Sequence, residues 1–505
     1  MKKVLMGVLS LGLLLGAATG CTSDQEKAAG KTKASSEKTE ATSGASANGY
    51  TDPSELKDSY DVVIVGSGGA GMTAALQAKE AGMNPVILEK MAVAGGNTIK
   101  SSSGMNASQT KFQEKEGIKD SNDKFFEETL KGGKGTNDQE LLRYFVDHSA
   151  EAIDWLDTKG ITLSNLTITG GMSEKRTHRP ADGSAIGGYL VDGLVRNVRE
   201  EKIPLFVDAD VTDLVEENGQ IDGVKVKMKD DKEKTVKAKA VVVTTGGFGA
   251  NEKLITQYKP ELKNYVTTNQ EGTTGDGIQM IQKVGGALVD MKEIQIHPTV
   301  QQSDAFLIGE AVRGEGAILA SQKGERFVNE LDTRDKVSAA INALPEKSAY
   351  LVFDQGVRDR AKAIDFYDQK GFVEKGETIE ELAEKIGMPA DTLKATIDTW
   401  NQDVNAKDDK QFGRTTGMEA DLSTAPYYAI KIAPGIHHTM GGVKINTKTE
   451  VLREDGTPIK GLYAAGELTG GLHGQNRIGG NAIADIIIYG RQAGTQSAEF
   501  ASAQK

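Results

Sequence analysis

The chain has 505 residues, 59 of them glycine, and a formal net charge of -12 at neutral pH. Its length predicts two or more domains, and its charge argues against a nucleic-acid partner because phosphate binding needs a clustered positive surface. Cys21 is the only cysteine, which excludes an intramolecular disulfide, a four-thiolate iron-sulfur cluster and a haem held at C-x-x-C-H. We predict no metal site, so any redox chemistry must use another cofactor.

Residues 1–20 have the pattern of a signal peptide. Lys2 and Lys3 precede a largely apolar run that is too short to span a bilayer. The sequence A-T-G-C that ends at Cys21 resembles a bacterial lipobox, with alanine where leucine is usual. We expect Cys21 to be lipidated and to anchor the protein at the outer face of the cytoplasmic membrane; an incidental cysteine is the alternative.

Residues 21–50 are rich in Lys, Glu, Ser, Thr, Ala and Gly and lack apolar periodicity, which predicts a disordered tether. Within it, E-A-T-S-G-A-S at 40–46 resembles the D-x-x-[ST]-G-A-[TS] motif, at which a flavin transferase attaches FMN through a phosphoester. Ser46 is the candidate attachment site, although Glu40 replaces the usual Asp. Short Ser/Gly/Ala runs are also common in linkers, so an unmodified tether stays open.

Residues 51–292 are predicted to form the first part of an FAD-binding domain. The apolar run from Tyr60 to Val65, the turn G-S-G-G-A-G and a helical pattern from Met72 to Ala81 precede a second apolar run that ends at Leu88. This is the order of a dinucleotide-binding βαβ unit, in which glycines admit a pyrophosphate and an acid binds a ribose hydroxyl. The candidate cofactor residues of this unit are Gly66, Gly68, Gly69, Ala70, Gly71, Glu89 and Lys90.

Further glycine-bearing turns follow the βαβ unit closely. They suit FAD better than NAD, because a flavin ring extends further past the pyrophosphate. The candidate cofactor residues in these turns are Gly96, Asn97, Thr98, Ser103, Gly104, Gly246 and Asp276. The basic run R-T-H-R at 176–179 is either solvated surface or a further contact with the flavin.

From about residue 293 the character of the sequence changes. Residues 293–436 are predicted to form an inserted capping domain, within which Thr378 begins a capping box and a helix. Residues 437–505 return the chain to the FAD-binding domain and end in a helix. The predicted fold class is α/β, a Rossmann-like FAD-binding domain with an inserted α+β capping, or clamp, domain.

Six motifs occur in the order typical of one known family: H-P-T at 297–299, E-A-V-R-G at 310–314, R-F-V-N-E at 326–330, T-R-D-K at 333–336, H-H-T-M-G-G at 437–442 and N-R-I-G-G-N-A at 476–482. Over roughly Asp61 to Gly494 the chain resembles the soluble fumarate reductase branch of the succinate dehydrogenase/fumarate reductase flavoproteins. The resemblance implies FAD-dependent reduction of an activated C=C bond.

The resemblance also implies roles for single residues. Arg334 matches the active-site acid, and Glu310 and Arg313 match its proton relay. The residues that match substrate carboxylate contacts are His297, His437 and Arg477. The residues that match cofactor contacts are His438, Glu467, Asn481, Ala482 and Ile483, although which of the two adjacent histidines faces substrate stays open. Because Asn97 stands where membrane-bound relatives carry a histidine bound covalently to FAD, we expect non-covalent FAD.

The residue types support this chemistry independently. Reduction of an activated C=C bond needs a hydride source, a proton donor on the opposite face and cations that bind the conjugated carboxylate. Arg334 needs prompt reprotonation because the pKa of arginine exceeds about 12, whereas the planar guanidinium of Arg477 suits bidentate binding of a carboxylate. The alternative is that these arginines form structural ion pairs, and that His297 and His437 have structural roles.

Gly309 departs from the family pattern, since fumarate reductases commonly have a hydroxyl residue immediately before E-A-V-R-G. We expect a lipid-anchored, extracytoplasmic fumarate reductase that acts on a small dicarboxylate and receives electrons from a membrane or extracellular donor. Reduction of another unsaturated acid, such as urocanate or an acrylate, is the first alternative. A non-catalytic flavin-binding electron-transfer lipoprotein is the second.

Overall fold

The computed structural model describes residues 49–504. The predicted signal peptide, the lipidation site Cys21 and the candidate FMN site Ser46 lie outside the described residues. Between residues 49 and 504, no helix combines the length and the apolar character needed to cross a membrane.

The strands of the described residues form four sheets, of which the largest has eight strands and the next has six. In chain order, β1 to β19 are Ser59–Val65, Pro85–Leu88, Met105–Asn106, Asn165–Thr167, Thr177–Arg179, Leu205–Phe206, Ala209–Glu217, Gln220–Met228, Glu233–Val243, Leu288–Val289, Ile294–Gln301, Phe306–Leu307, Ile318–Ala320, Ala349–Asp354, Glu374–Gly376, Tyr427–Thr439, Gly442–Val443, Glu450–Leu452 and Pro458–Ala464.

The helices lie between and around these strands. In chain order, α1 to α15 are Gly69–Glu80, Lys111–Lys115, Asn122–Gly132, Gln139–Asp147, Ser149–Thr158, Ile186–Glu200, Glu252–Tyr258, Asp276–Lys283, Ala311–Gly314, Arg334–Asn342, Gln355–Arg360, Ala363–Gln369, Ile379–Lys385, Ala390–Ala406 and Asn481–Ala503. Short 3-10 helices cover Pro53–Glu55, Gly96–Lys100, Pro260–Leu262 and Gly466–Leu468.

The eight-stranded sheet contains a parallel array in the order β6-β2-β1-β9-β19. Val62, Val63 and Ile64 of β1 are completely buried, as expected for a strand with helices on both faces. Helix α15 packs closely on α1, since a side chain on Gly490 would meet the Ala70 carbonyl oxygen at 2.8 Å. The carboxyl ends of the parallel strands therefore meet at one edge of the sheet, where open α/β sheets bind ligands.

A second hydrophobic core contains residues between Ile308 and Ile432, separate from the core of the parallel sheet. It packs around the six-stranded sheet, whose main order is β12-β11-β16-β14-β13. The predicted fold class, a Rossmann-like FAD-binding domain with an inserted α+β domain, is confirmed. The domain boundaries at 51, 293 and 437 stay predictions.

A buried ion cluster lies inside this second core. Arg326 binds Glu330 through two contacts of 2.8 Å and Asp409 through contacts of 3.1 and 3.0 Å, and Arg414 binds Glu330 at 3.2 Å. The Arg326 guanidinium also lies 4.5 Å from the ring centre of Trp400. Burial raises the pKa of Glu330 and of Asp409, but contacts with arginine outweigh that effect and hold both below their ordinary values. Two cations and two anions leave this cluster neutral.

We predict that Arg326→Ala lowers the free energy of unfolding of the capping domain by about 3–5 kcal/mol, because it removes the cation that bridges two buried carboxylates and leaves them with Arg414 as the remaining arginine of the cluster. Urea unfolding followed by Trp400 fluorescence in a Trp155→Phe background measures the effect. Lys336→Ala, which breaks an exposed pair with Asp332, is the control and should cost less than about 1 kcal/mol. An Arg326→Ala transition within about 1 kcal/mol of the parent would contradict the prediction.

The same cluster predicts a dependence of stability on pH. Because the pKa values of Glu330 and Asp409 are lowered in the folded chain, their stabilisation is complete above the unfolded values of about 4. It is lost as the pH falls through the lowered folded values. The gap in unfolding free energy between the parent and Arg326→Ala should therefore shrink below about pH 4, and a gap independent of acid would argue against these carboxylates as its source.

Candidate active site

A cavity of about 820 Å³, counted out to its open rim, lies at the carboxyl edge of the parallel sheet. The residues that follow β1, β2, β9 and β19 line it, among them Gly66, Glu89, Thr244 and Gly466. The cavity therefore lies at the place where the predicted βαβ unit would bind a dinucleotide.

The glycines of the first turn are required for different structural reasons. Gly66 adopts φ +101°, which favours glycine, and a Cβ atom on Gly71 would lie 2.0 Å from the Gly66 carbonyl oxygen. Gly71 is thus needed for packing of the turn. A Cβ atom on Gly68 would meet only Thr98 Oγ1, at 3.9 Å, and would otherwise project into the cavity. The surface at Gly68 fits a pyrophosphate that approaches the backbone closely.

Charged residues at the rim of the cavity are held in place by neighbours. Glu89 accepts hydrogen bonds from Ser67 N at 2.9 Å, Ser67 Oγ at 2.7 Å and Met91 N at 2.8 Å. Lys90 Nζ binds Thr274 Oγ1 at 2.7 Å and Asp276 Oδ2 at 2.5 Å. A carboxylate has about four acceptor positions, so Glu89 keeps the capacity to accept a further bond from a ribose hydroxyl.

A second cavity, of about 780 Å³, adjoins the first. The two share Asn97, Thr98, Glu467 and Ile486 in their walls. The Asn97 side chain donates to Asn269 Oδ1 at 2.6 Å and accepts from Gln270 N at 2.8 Å. A long ligand can therefore run from the first cavity into the second, which fits FAD, with its nucleotide and flavin ends, better than a shorter group.

Most predicted cofactor residues line one or both cavities: Gly66, Gly68, Gly69, Ala70, Glu89, Lys90, Gly96, Asn97, Thr98, Gly246, Asp276, His438, Glu467, Ala482 and Ile483. Gly71, Ser103, Gly104 and Asn481 are not among the lining residues. A Cβ on Gly104 would lie 2.3 Å from the His178 carbonyl oxygen, and Asn481 accepts from Asn106 Nδ2 at 2.7 Å, so both have packing contacts.

Sequence reasoning missed several lining residues, including Asp210, Thr245, Gln270 and Ile486. Thr245 could have been found, because it lies two residues after β9, a buried strand of the parallel sheet. The basic run at 176–179 is neither solvated surface nor a lining of either cavity. Arg176 is completely buried and binds Asp120 and Glu128.

Arg334 lies at the start of α10 and is held by residues from both cores. Its Nε and Nη2 atoms bind Glu310 Oε2 at 2.9 and 2.8 Å, and its Nη1 atom donates to Gln295 Oε1 at 3.2 Å. Gln295 Nε2 in turn donates to the Arg477 carbonyl oxygen at 2.7 Å. Gln295, which sequence reasoning also missed, thus links the side chain of one predicted site arginine to the backbone of another.

Glu310 is buried, and hydrogen-bond donors contact both of its carboxylate oxygens. Its Oε1 atom accepts from Gly170 N at 2.8 Å, and its Oε2 atom lies 3.9 Å from Arg313 Nη2. Burial raises the pKa of Glu310, but the positive charges of Arg334 and Arg313 outweigh burial and lower it overall. Glu310 is therefore a carboxylate at neutral pH.

Arg313 and Arg477 are buried and incompletely bonded. Arg313 Nη1 donates to the Glu330 carbonyl oxygen at 2.5 Å, whereas its Nε and Nη2 atoms have no hydrogen-bond partner within the described residues. Arg477 Nη1 donates to the Ile478 carbonyl oxygen at 3.2 Å, and its Nε atom has none there. Burial lowers the pKa of Arg313 to about 10 and that of Arg477 to about 9. Both guanidiniums remain protonated at neutral pH and can accept an anion.

Two strands carry the candidate histidines: β11 bears His297, and β16 bears His437 and His438. His297 Nδ1 accepts from Thr299 N at 3.2 Å, which leaves the ring proton on Nε2. That Nε2 atom is buried without a partner among the described residues, so it is available as a donor. Burial and the nearby arginines hold the pKa of His297 and of His437 well below the ordinary value, so both rings are neutral.

The two adjacent histidines face different neighbours. The His437 ring lies 5.2 Å from the His297 ring, centre to centre, and its Nδ1 atom is 2.8 Å from Thr268 Oγ1. His438 Nδ1 lies 3.6 Å from Glu467 Oε2, in the wall that the two cavities share. Both histidines line the second cavity, and the separate roles expected for them stay predictions.

Comparisons with known proteins agree with the geometry. Residues 61–483 match the family model described as an FAD binding domain. The chain is 54% identical to an NADH:fumarate oxidoreductase of Klebsiella pneumoniae (strain 342) over 88% of its own length and 48% of that protein, so it spans about half of that relative. It is 42% identical to a fumarate reductase (cytochrome) of Shewanella frigidimarina over 88% of its length and 78% of that protein.

Among solved structures, the open conformation of a flavocytochrome c3 fumarate reductase superposes with a TM-score of 0.73. Its sequence identity to this chain is 40%, and the match covers 89% of this chain and 79% of that one.

We predict that Gly68→Ala weakens FAD binding by at least about tenfold and leaves the stability of the FAD-free protein unchanged. The added methyl group meets no close protein atom but enters the cavity at the place expected for the pyrophosphate. Fluorescence titration of the FAD-free protein measures the affinity. Gly188→Ala, at an exposed glycine with no atom within 4 Å of the new Cβ, is the matched control. Equal FAD affinity in Gly68→Ala and the parent would refute this position for the cofactor.

Proposed function

The chain belongs to the fumarate reductase flavoproteins of the succinate dehydrogenase/fumarate reductase superfamily, and on that basis we propose that it reduces fumarate to succinate. The reaction adds a hydride to one carbon of the C=C bond and a proton to the other. Non-covalently bound FAD would supply the hydride from N5. The residues of this chain bind the two carboxylates and supply the proton.

The charge balance of the candidate site carries this proposal. Arg313, Arg334 and Arg477 are all buried, and Glu310 is the carboxylate that binds in their midst. Glu467 and Asp485 also act on Arg477 through space, but Glu310 is the carboxylate that hydrogen bonds to this group of arginines. Burial of unpaired charge is strongly unfavourable, so an anionic ligand fits, and three arginines suit one with two negative charges. Fumarate has that charge, whereas urocanate and acrylate have one carboxylate each.

Arg334 is the proposed proton donor, with the proton leaving one of its guanidinium nitrogens. Glu310 would restore that proton, because its Oε2 atom lies within 2.9 Å of Arg334 Nε and 2.8 Å of Nη2. Arg313 would in turn supply Glu310 across the 3.9 Å gap to Oε2, and its lowered pKa of about 10 makes that transfer easier than from an ordinary arginine. Arg313 is completely buried, so a further group must connect this relay to solvent.

The remaining polar groups would hold the carboxylates. Arg477 offers its unbonded Nε atom, and His297 offers its Nε2 proton. His437 lies beside His297 and is oriented by Thr268. Such donors bind the substrate and also stabilise negative charge that develops on the conjugated carboxylate during hydride transfer.

Reduction of another enoate is the second candidate, and the absence of a side chain at Gly309 favours it because one expected carboxylate donor is missing there. The three buried arginines weigh against a monocarboxylate. A non-catalytic flavin-binding lipoprotein would gain nothing from a buried Arg334–Glu310 pair, so we place it third.

We further propose that Cys21 anchors the protein at the outer face of the membrane and that FMN on Ser46 passes electrons to FAD. The position of the first described residues supports the second part. Tyr50 Oη accepts from Ala94 N at 3.1 Å, and Ala94 is two residues from Gly96 in the cavity wall. Four residues span at most about 14 Å, so Ser46 can reach the neighbourhood of the FAD cavity. A flavin transferase and an external electron donor would be the partners.

We predict that Arg334→Ala lowers kcat for fumarate by at least about 10²–10⁴-fold, the usual contribution of a general acid, with a much smaller loss of fumarate affinity because Arg313 and Arg477 remain. Arg334→Lys should recover a small part of the rate, because an ammonium is also a donor but has shorter reach. Anaerobic assays with reduced viologen measure both parameters. Turnover of Arg334→Ala within about tenfold of the parent would exclude Arg334 as the acid.

Two variants calibrate that result. Arg477→Ala should raise KM and lower kcat together, since Arg477 would hold the carboxylate in both the ground and transition states. Arg143→Ala removes an exposed arginine that pairs with Asp123 and should change neither parameter.

We predict that protein made beside a flavin transferase carries one FMN phosphoester on Ser46, and that Ser46→Ala does not. Intact mass spectrometry under denaturing conditions distinguishes the two forms. Ser36→Ala, in the same tether but outside the motif at 40–46, is the control and should keep the added mass. An unmodified parent in that host would rule out FMN attachment and leave the fumarate proposal untouched.

A further inference from the structure

Side chains from other parts of the sequence occupy the space that a side chain at Gly309 would take. A Cβ atom on Gly309 would lie 2.8 Å from Ser102 Oγ and 3.2 Å from Tyr367 Oη. Gly309 does not adopt a positive φ, so its backbone conformation would accept a side chain. The missing hydroxyl of the family pattern is thus accompanied by two hydroxyls from distant parts of the chain.

Ser102 and Tyr367 approach Gly309 from opposite domains. Ser102 follows the 3-10 helix Gly96–Lys100 of the FAD-binding domain, and Tyr367 belongs to α12 in the capping domain. The Gly309 N–H donates to Tyr367 Oη at 3.0 Å. Burial raises the pKa of Tyr367, and the Gly309 N–H and the Ser102 hydroxyl oppose that rise, so the Tyr367 phenol stays protonated.

The Ser102 hydroxyl is buried and has no hydrogen-bond partner among the described residues. Ser102 is 7% exposed, and the Tyr367 phenol lies near enough for the Ser102 hydroxyl to lower its pKa. A buried hydroxyl usually has a partner. Ser102 lines neither cavity, but it contacts Gly309, which is adjacent to Glu310 and so to Arg334; the absent partner therefore belongs beside the groups proposed to hold the substrate.

We propose that Ser102 donates a hydrogen bond to a substrate carboxylate in place of the side-chain hydroxyl that Gly309 lacks, and that Tyr367 positions it. Gly309 is adjacent to Glu310, which binds Arg334, so this donor lies beside the proposed proton donor. The inference rests on the proposed function and deepens it. In this chain the Ser102 hydroxyl comes from the FAD-binding domain. The missing side chain of Gly309, in the capping domain, leaves room for it.

The test compares fumarate binding by four FAD-loaded proteins in the oxidised state: the parent, Ser102→Ala, Gly309→Thr and the double variant. The perturbed absorbance of bound FAD reports fumarate without turnover, and the FAD content is measured for each protein. Ser102→Ala should raise the dissociation constant of fumarate by at least about tenfold, as expected for a lost hydrogen bond to a charged group. Gly309→Thr should also weaken binding, because its side chain would crowd Ser102 and Tyr367.

The double variant distinguishes replacement from damage. Ser102→Ala frees the space, and Gly309→Thr returns a hydroxyl, so the dissociation constant should fall back to within about threefold of the parent, a strongly non-additive result. A double variant no better than Ser102→Ala would overturn the replacement. Thr129→Val removes another buried hydroxyl without a described partner, outside both cavities, and should bind fumarate as the parent does.

Tyr367→Phe tests the positioning role. It should raise KM several-fold and leave kcat unchanged, since Tyr367 would act through Ser102; an equal loss in kcat would contradict that role. Loss of FAD from Ser102→Ala, with fumarate affinity intact in the protein that keeps FAD, would assign the hydroxyl to the cofactor and overturn the inference. A parent protein that binds no fumarate would instead defeat the proposed function itself.

Discussion

The surplus of buried positive charge is the constraint on which the candidate site depends. Arg313, Arg334 and Arg477 cannot be neutralised by Glu310 alone, so the surrounding structure must hold them rigidly until an anion enters. The neutral cluster in the capping domain does part of this: Arg414 Nη2 donates to the Arg313 carbonyl oxygen at 2.7 Å, and Arg313 Nη1 binds the Glu330 carbonyl oxygen. One stretch, 308–334, therefore supplies Glu310, Arg313 and Arg334 of the candidate site and also Arg326 and Glu330 of the neutral cluster.

The position of the two domains relative to the site is set by two strands. β11 and β16 pair antiparallel in the sheet of the capping domain, yet Ile294 and Ile436 belong to the core of the FAD-binding domain. The candidate histidines lie on these strands. Gln295 on β11 contacts both Arg334 and the segment that bears Arg477, so a shift of this strand would move the proposed acid and the proposed carboxylate clamp together.

Local sequence patterns predicted the elements whose structure depends on neighbouring residues in the chain. The βαβ unit, the glycine turns and the helix that begins after Thr378 follow from apolar period, backbone freedom and capping, and the Thr378 side chain does accept from Glu381 N. Contacts between distant polar residues gave no such signal. Packing of the two cores sets the positions of Gln295, Ser102 and Tyr367. A single polar residue shows no periodic pattern in the sequence, so its position could not be predicted. For the same reason the basic run at 176–179 gave no sign of its buried partners.

The electrostatics of the site also explain why an arginine, rather than a more usual acid, would deliver the proton. Histidine is the common choice near neutral pH, but burial, together with the nearby guanidiniums, holds the pKa values of His297 and His437 well below the ordinary one. The guanidiniums also hold Glu310 as a carboxylate. Burial and the positive charges thus leave neither histidine nor Glu310 protonated as an acid. What is left is a guanidinium in direct contact with a carboxylate that can accept a proton from Arg313 and pass it on, which is the arrangement of Arg334 and Glu310.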